Sequence, residues 1–149
     1  MPSEFRFVVG RMPPAFLPVN GSILISHQLK ALKISGLGNE RAYLLLPNDY
    51  EPSIAERLKL EELEVSVVKV CPKVTVGQAI LKALGEISEV DDSLRLLMGD
   101  TFAASFPSVT DVVGVSSPGF DSRYRFDLEA DSPFVWNGFF SFSKIDKFK

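Results

Sequence analysis

An aspartate that directly follows a short apolar run is the strongest chemical signal in this sequence. Residues 94–98 have the composition of a buried strand, and Gly99, Asp100 and Thr101 follow them. In open α/β sheets, ligands bind at the carboxyl ends of the strands. Glycine lets a phosphate or a sugar approach the backbone, and an aspartate can hold Mg²⁺ through oxygen. The alternative is that Asp100 only opens a turn, because Gly-Asp and Asp-Thr are common in loops.

The segments before Asp100 alternate between strand and helix patterns. Strands are predicted at residues 5–9, 42–46, 64–70 and 94–98, and helices at 21–34, 52–60 and 75–87. This order predicts right-handed crossovers and a mostly parallel sheet with helices on both faces, in which the first four strands are parallel.

The character of the chain changes after Asp100. Residues 111–116, 123–129 and 133–143 resemble strands with little helix between them, and this part is rich in phenylalanine. Such density is more typical of a packed sheet than of a binding surface. With no repeat and no linker that would divide the chain, we expect residues 1–149 to form one α/β domain.

Composition narrows the class of protein. The chain has 149 residues, 46% hydrophobic and 23% charged, and a net charge of −3, which is a globular composition. We expect neither nucleic acid nor a membrane as partner, because there is no basic patch and no apolar run of about 20 residues. The single cysteine, Cys71, fits a reducing cytoplasm, and we expect it to be a buried or half-buried spectator.

Four segments, taken in order, resemble the sugar nucleotidyltransferases, which join a nucleoside triphosphate to a sugar 1-phosphate. Residues 16–29 (FLPVNGSILISHQL) are similar to the family's LLPV-x-G-K-P-L-I-x-H-x-L block. Residues 77–84 are similar to its glycine-alanine helix start, and residues 96–101 to its L-V-L-x-G-D metal strand. Residues 136–142 (WNGFFSF) are similar to its N-x-G-x-Y-x-F strand.

The resemblance implies a Rossmann-like fold of the nucleotide-diphospho-sugar transferase type, and Mg²⁺ as the cofactor. It implies a nucleoside triphosphate and a sugar 1-phosphate, or a nucleotide sugar, as ligands, and a role in making nucleotide sugars for surface polysaccharide. Whether the chain forms a homo-oligomer is left open. By this resemblance, Asp100 is the residue that binds the metal, and Asp100 and Arg11 are the catalytic residues. Asn137 and Gly138 are expected to bind the sugar. The residues expected to bind the nucleotide are Gly10, Arg11, Gly77, Gln78 and Gly99.

Each of these residues also has a plain structural alternative. Arg11 could grip phosphate in a bidentate manner or be a solvated loop residue. Gly77 and Gln78 could be ordinary residues of a helix start, and Asn137 with Gly138 could form a β-bulge. His27 is expected to be structural.

The sequence also departs from the family pattern. The family's first loop is glycine-rich with Gly-Thr-Arg, and a Pro-Lys-Pro follows it, whereas this chain has Pro13, Pro14 and Ala15 there. Proline offers neither a charge nor an amide hydrogen. The family's second metal-binding aspartate is not reached before Lys149, so either the chain is a piece of a longer protein or the site is incomplete. We therefore expect weak or no transferase activity, and the alternative function is a non-catalytic module that binds a nucleotide sugar or a protein.

Overall fold

Residues 12–38, 40–87, 93–116 and 135–144 are the part of the chain that the computed structural model describes. Its helices are α1 (Leu24–Ile34), α2 (Ile54–Glu62) and α3 (Val76–Glu86), and a short 3₁₀ helix covers Pro14–Phe16. Its strands are β1 (Pro18–Val19), β2 (Ser22–Ile23), β3 (Ala42–Pro47), β4 (Val65–Val70), β5 (Leu94–Leu97), β6 (Val112–Ser116) and β7 (Val135–Phe142). The chain thus has a mixed α/β architecture, as the sequence predicts.

A parallel strand pair with a crossover helix forms the first part of the fold. β3 and β4 pair in parallel from Ala42↔Val65 to Pro47↔Val70, and α2 connects them. Leu46 of β3 is fully buried and belongs to a core cluster with Leu60 of α2. The apolar face of the helix is therefore buried where it packs on the sheet.

Local hydrogen bonds fix where α2 begins. Ser53 and Glu56 form a capping box, in which the Glu56 amide donates to Ser53 Oγ and the Ser53 amide donates to Glu56 Oε2. Tyr50 Oη also donates to Glu56 Oε1 over 2.7 Å. Burial raises the pKa of Glu56, but the hydrogen bonds from Tyr50 and Ser53 outweigh it, so the pKa of this carboxyl is lowered.

An antiparallel sheet in the order β5-β7-β6 forms the second part. β7 pairs with β5 from Leu94↔Phe142 to Leu97↔Phe139, and on its other edge with β6. The rings of Phe106 and Phe139 stack at 5.0 Å and pack with Ala31 of α1. Phe106 and Phe139 thus contribute to a packed core, whereas Phe102 is exposed.

The segment before α1 differs from the prediction. The helix begins at Leu24, and residues 18–23 form a β-hairpin in which Val19 pairs with Ser22. Asn20 (φ 44°) and Gly21 (φ 80°) both lie in the left-handed region. Two such residues between paired strands are typical of a type I′ turn, for which Asn-Gly is a preferred sequence. At its other end, α1 stops in a Schellman motif, where Leu37 N–H donates to Leu32 O and Gly36 N–H donates to Lys33 O.

The structure supports only a part of the predicted parallel sheet. Parallel pairing is seen for β3 and β4, whereas β5 pairs antiparallel with β7. Within the described residues, no strand pairing joins β3 to β5. The strands predicted at 5–9 and 123–129 lie outside the described residues. β5 and most of β3, expected to be buried, are only half-buried, and both strands line one cavity of about 930 Å³.

Two smaller observations concern composition-based expectations. Cys71 is exposed, so the expectation of a buried or half-buried position was wrong. It lies just outside β4, which ends at Val70. In the described part of the chain, no helix combines the length and the hydropathy that a membrane crossing requires.

Candidate functional site

The candidate site is built around the turn that follows β5. Thr101 N–H donates to Met98 O over 3.0 Å, which closes a turn with Gly99 and Asp100 at its tip. Gly99 lies against the 3₁₀ helix, since a Cβ added to it would be 3.6 Å from Pro14 Cβ. Asp100 is exposed. The aspartate predicted to bind metal therefore stands at the carboxyl end of β5, at the tip of a closed turn.

β7 holds this turn from one side. Met98 N–H donates to Gly138 O over 2.8 Å, and Thr101 Oγ1 donates to Asn137 O over 2.8 Å. Thr101 is only 7% exposed. Gly138 has a φ of +85°, and an added Cβ would lie 2.9 Å from Met98 Cβ and closer still to Thr101 Oγ1. Glycine is therefore required at this position both by the backbone conformation and by the close approach of β7 to the turn.

Asn137 and Gly138 form a bulge in the strand pairing. Between the pairs Val113↔Phe140 and Val115↔Trp136, β6 contributes one residue and β7 contributes three. Asn137 Oδ1 accepts the Phe139 amide over 3.2 Å, and the Asn137 side chain covers Gly114. The β-bulge alternative thus describes the geometry of both residues, and their contact with a sugar stays a prediction.

Gln28 of α1 also holds the turn, and the sequence patterns did not single it out. Its side chain is buried, and Nε2 donates to Met98 O over 3.1 Å and to Thr101 O over 2.7 Å. The signal that could have identified it is its place on the buried stripe of α1, four residues after Leu24 and three before Ala31. A polar residue on such a stripe needs a hydrogen-bond partner.

His27 is a structural residue in this fold, as expected. Its Nε2 donates to Val19 O over 2.8 Å, which ties α1 to the hairpin. Its ring meets the ring of Phe102 edge-on, at 5.9 Å between centroids. The histidine therefore links the hairpin to the segment that leaves the Asp100 turn.

Gln78, which was predicted to bind the nucleotide, belongs with Thr75 to a second capping box at the start of α3. Gln78 Oε1 accepts the Thr75 amide over 2.9 Å, and Thr75 Oγ1 accepts the Gln78 amide over 3.3 Å. Gly77 is exposed, and an added Cβ would meet no atom within 4 Å, so packing within the described residues does not require glycine there. Because α3 follows β4, its amino end lies beyond the carboxyl end of that strand, a position that suits an anion.

The first loop is described only from Met12 onward. Gly10 and Arg11 lie outside the described residues, so their predicted contacts with a nucleotide stay predictions. Pro13 is buried, and Pro14 begins the 3₁₀ helix against Gly99. An apolar contact therefore stands where the family pattern places a lysine.

Asp100 is the described residue to which the resemblance assigns a metal ion. Among them, no group of three or more His, Cys, Asp or Glu side chains could hold a metal ion. Asp100 supplies one carboxylate at an exposed turn. Mg²⁺ in nucleotide sites is commonly held by one or two carboxylates together with phosphate oxygens and waters. One strand-end aspartate is compatible with that arrangement.

The described part of the chain thus combines a mixed α/β architecture with an aspartate turn at the carboxyl end of a strand. The solved structure of the nucleoside-diphosphate-sugar pyrophosphorylase from Vibrio cholerae RC9 is similar to this chain, with a TM-score of 0.68 over 98% of this chain and 71% of that chain, at 16% sequence identity. No protein-family model and no curated protein matches the sequence. The resemblance predicted from the sequence is confirmed at the level of the fold.

Proposed function

We propose that this chain binds a nucleoside triphosphate and a sugar 1-phosphate, or the nucleotide sugar made from them, beside the Asp100 turn. The observation that carries the proposal is the exposed Asp100 at the carboxyl end of β5, on a turn held by hydrogen bonds to Gln28 of α1 and to β7. Open α/β folds place ligands at such strand ends. The similar structure from Vibrio cholerae, a nucleoside-diphosphate-sugar pyrophosphorylase, supports the ligand class.

In the proposed site, each candidate residue has a binding role, and Arg11 and Asp100 would also serve catalysis. Asp100 would hold Mg²⁺, which neutralises phosphate charge when bound. Gly10, Arg11, Gly77, Gln78 and Gly99 would contact the nucleotide, and Asn137 with Gly138 would face the sugar. The corresponding reaction is in-line attack of a sugar-phosphate oxygen on the α-phosphorus with departure of pyrophosphate, which the protein assists by positioning and charge neutralisation. The resulting nucleotide sugar would serve surface polysaccharide synthesis in the cytoplasm.

The proposal includes a mostly parallel, Rossmann-like sheet that contains β3, β5 and the strand predicted at residues 5–9. Both strands line the same cavity, and so do Ser26 and Arg95, whose Oγ and Nε atoms are buried without a hydrogen-bond partner in the described part of the chain. In such a sheet, the start of α3 would lie at the same edge as Asp100. Hydrogen exchange tests this: slow exchange of the amides of residues 5–9 is expected, and exchange at the rate of an unfolded peptide would refute it.

A non-catalytic binding module is the second candidate, and the buried Pro13 and the contact of Pro14 with Gly99 favour it. These prolines place no cation beside the turn, and loss of one preorganised electrostatic contact can cost on the order of a hundredfold in rate. A non-catalytic module that binds a nucleotide sugar shares that ligand with the first candidate and differs from it in turnover, whereas a module that binds a protein would bind none of these ligands.

Two assays on the full chain separate these outcomes. Calorimetric titration with the four ribonucleoside triphosphates and a panel of nucleotide sugars, with and without Mg²⁺, is expected to show binding that Mg²⁺ strengthens. No binding of any of these ligands would overturn the proposal. Pyrophosphate release with a panel of sugar 1-phosphates is expected to stay well below about one turnover per second, the lower end of the usual enzyme range. Faster turnover would exclude the non-catalytic alternative and show that other residues supply the missing charge.

A further inference from the structure

The buried side-chain amide of Gln28 donates both of its described hydrogen bonds to a single turn. It is 5% exposed, and its Nε2 carries two hydrogens, each of which has a backbone acceptor. The two acceptors, Met98 O and Thr101 O, are the carbonyls of the first and last residues of the turn that bears Asp100. An apolar side chain could fill the same space in the core, so packing alone does not explain a glutamine here.

The geometry of these bonds constrains the shape of the turn. Both acceptors bond to one planar amide nitrogen, which limits the separation and direction of the two carbonyls. Met98 O also accepts the Thr101 amide over 3.0 Å, so the same carbonyl closes the turn and receives the clamp. Asp100 lies within the segment whose two ends are fixed in this way.

The hydrogen bonds between β7 and the turn do not involve the carbonyl of Thr101, which is bonded by Gln28 of α1. Gly138 O receives the Met98 amide and Asn137 O receives the Thr101 hydroxyl, so β7 supplies acceptors only in these bonds. The carbonyl of Thr101 has its donor in Gln28. Without that donor, the peptide unit after Thr101 loses a bond that holds it in place, and the tip of the turn loses a fixed end.

We propose that Gln28 is a positioning residue, which orients the Asp100 carboxylate toward a divalent cation carried by the phosphates of a nucleotide. This inference rests on the proposed function, and it assigns Gln28 no contact with the ligand. A group that is preorganised by buried hydrogen bonds does not have to be ordered when the ligand binds. The Mg²⁺-dependent part of nucleotide affinity therefore depends on Gln28, and the Mg²⁺-independent part does not.

The test replaces Gln28 with methionine, which has a similar length and no N–H donor. Affinity for the four ribonucleoside triphosphates is measured by calorimetry with and without Mg²⁺, for the wild type, Gln28→Met, Asp100→Ala and the double variant. We expect Gln28→Met to reduce the gain in affinity from Mg²⁺ about tenfold or more, the effect of losing one well-oriented contact, and to leave affinity without Mg²⁺ within about twofold. In the Asp100→Ala background, Gln28→Met is expected to have no further effect, because the two residues act through one contact.

The outcomes distinguish this inference from the proposed function. Wild-type protein that binds none of these nucleotides overturns both. Wild-type protein that binds a nucleotide but gains no affinity from Mg²⁺ overturns this inference and the metal role of Asp100, and leaves the proposed nucleotide binding standing. If the wild type gains affinity and Asp100→Ala loses that gain while Gln28→Met keeps it, Gln28 is only a core residue and the inference alone is wrong. Should Gln28→Met not fold, Gln28→Asn retains an amide on a shorter side chain, and full retention of the Mg²⁺ gain in that variant would likewise overturn the inference.

Discussion

Substitution of Gly138 by alanine should reveal how closely β7 approaches the Asp100 turn. Gly138 has a φ of +85°, a conformation that costs an L-residue roughly 1–2 kcal/mol. The added Cβ would also lie 2.9 Å from Met98 Cβ and against the buried Thr101 hydroxyl. Overpacking of this kind typically costs about 1–3 kcal/mol. We therefore expect Gly138→Ala to lower the free energy of unfolding by roughly 2–5 kcal/mol.

Gly36 provides the matched control for the backbone term. Its φ is +79°, and an added Cβ would meet no atom within 4 Å, so Gly36→Ala is expected to cost only about 1–2 kcal/mol. Urea unfolding followed by circular dichroism measures both values, and unchanged slopes would show that the same surface is exposed in each variant. In a Thr101→Ala background, Gly138→Ala should cost less, because one of the colliding atoms is gone. If Gly138→Ala costs no more than Gly36→Ala, the close approach described here is wrong.

Two further predictions concern the connection between β3 and α2. Ser53→Ala removes the capping box and should destabilise the protein by about 1 kcal/mol in urea unfolding, and an unchanged midpoint would contradict the capping geometry. The lowered pKa of Glu56 means that its contribution to stability is present above its ordinary pKa of 4.5 and is lost as the pH falls through the lowered value. The difference in unfolding free energy between the wild type and Glu56→Gln should therefore be larger at pH 7 than at pH 3, and a difference that grows toward low pH would refute this assignment.

Local sequence patterns predicted the positions of several helices and strands well, because the spacing of apolar residues shows which face of a helix or strand is buried. The predicted strand at 42–46 is observed as Ala42–Pro47, and the predicted helix at 75–87 as Val76–Glu86. The hairpin at 18–23 was missed, although Asn-Gly between two short apolar segments is a recognised turn signal. The helical spacing that begins at Ile23 concealed it.

The features that local patterns could not supply depend on long-range contacts. Pairing of β5 with β7 decides that the end of β5 meets Gly138, and no periodicity specifies which strands become neighbours. Gln28 reaches carbonyls 70 and 73 residues further along the chain, so its importance is invisible in its own helix. Asp100 was identified from the strand end alone, and its role with a ligand stays a prediction.

The proposed site is tested most directly by comparing Mg²⁺-dependent nucleotide binding in wild type, Asp100→Ala and Glu61→Ala. Glu61 is an exposed carboxylate of α2 and controls for the change in net charge. We expect Asp100→Ala to lose the affinity gained from Mg²⁺ while Glu61→Ala retains it. Equal Mg²⁺-dependent binding by wild type and Asp100→Ala would contradict the assignment of the metal to this turn.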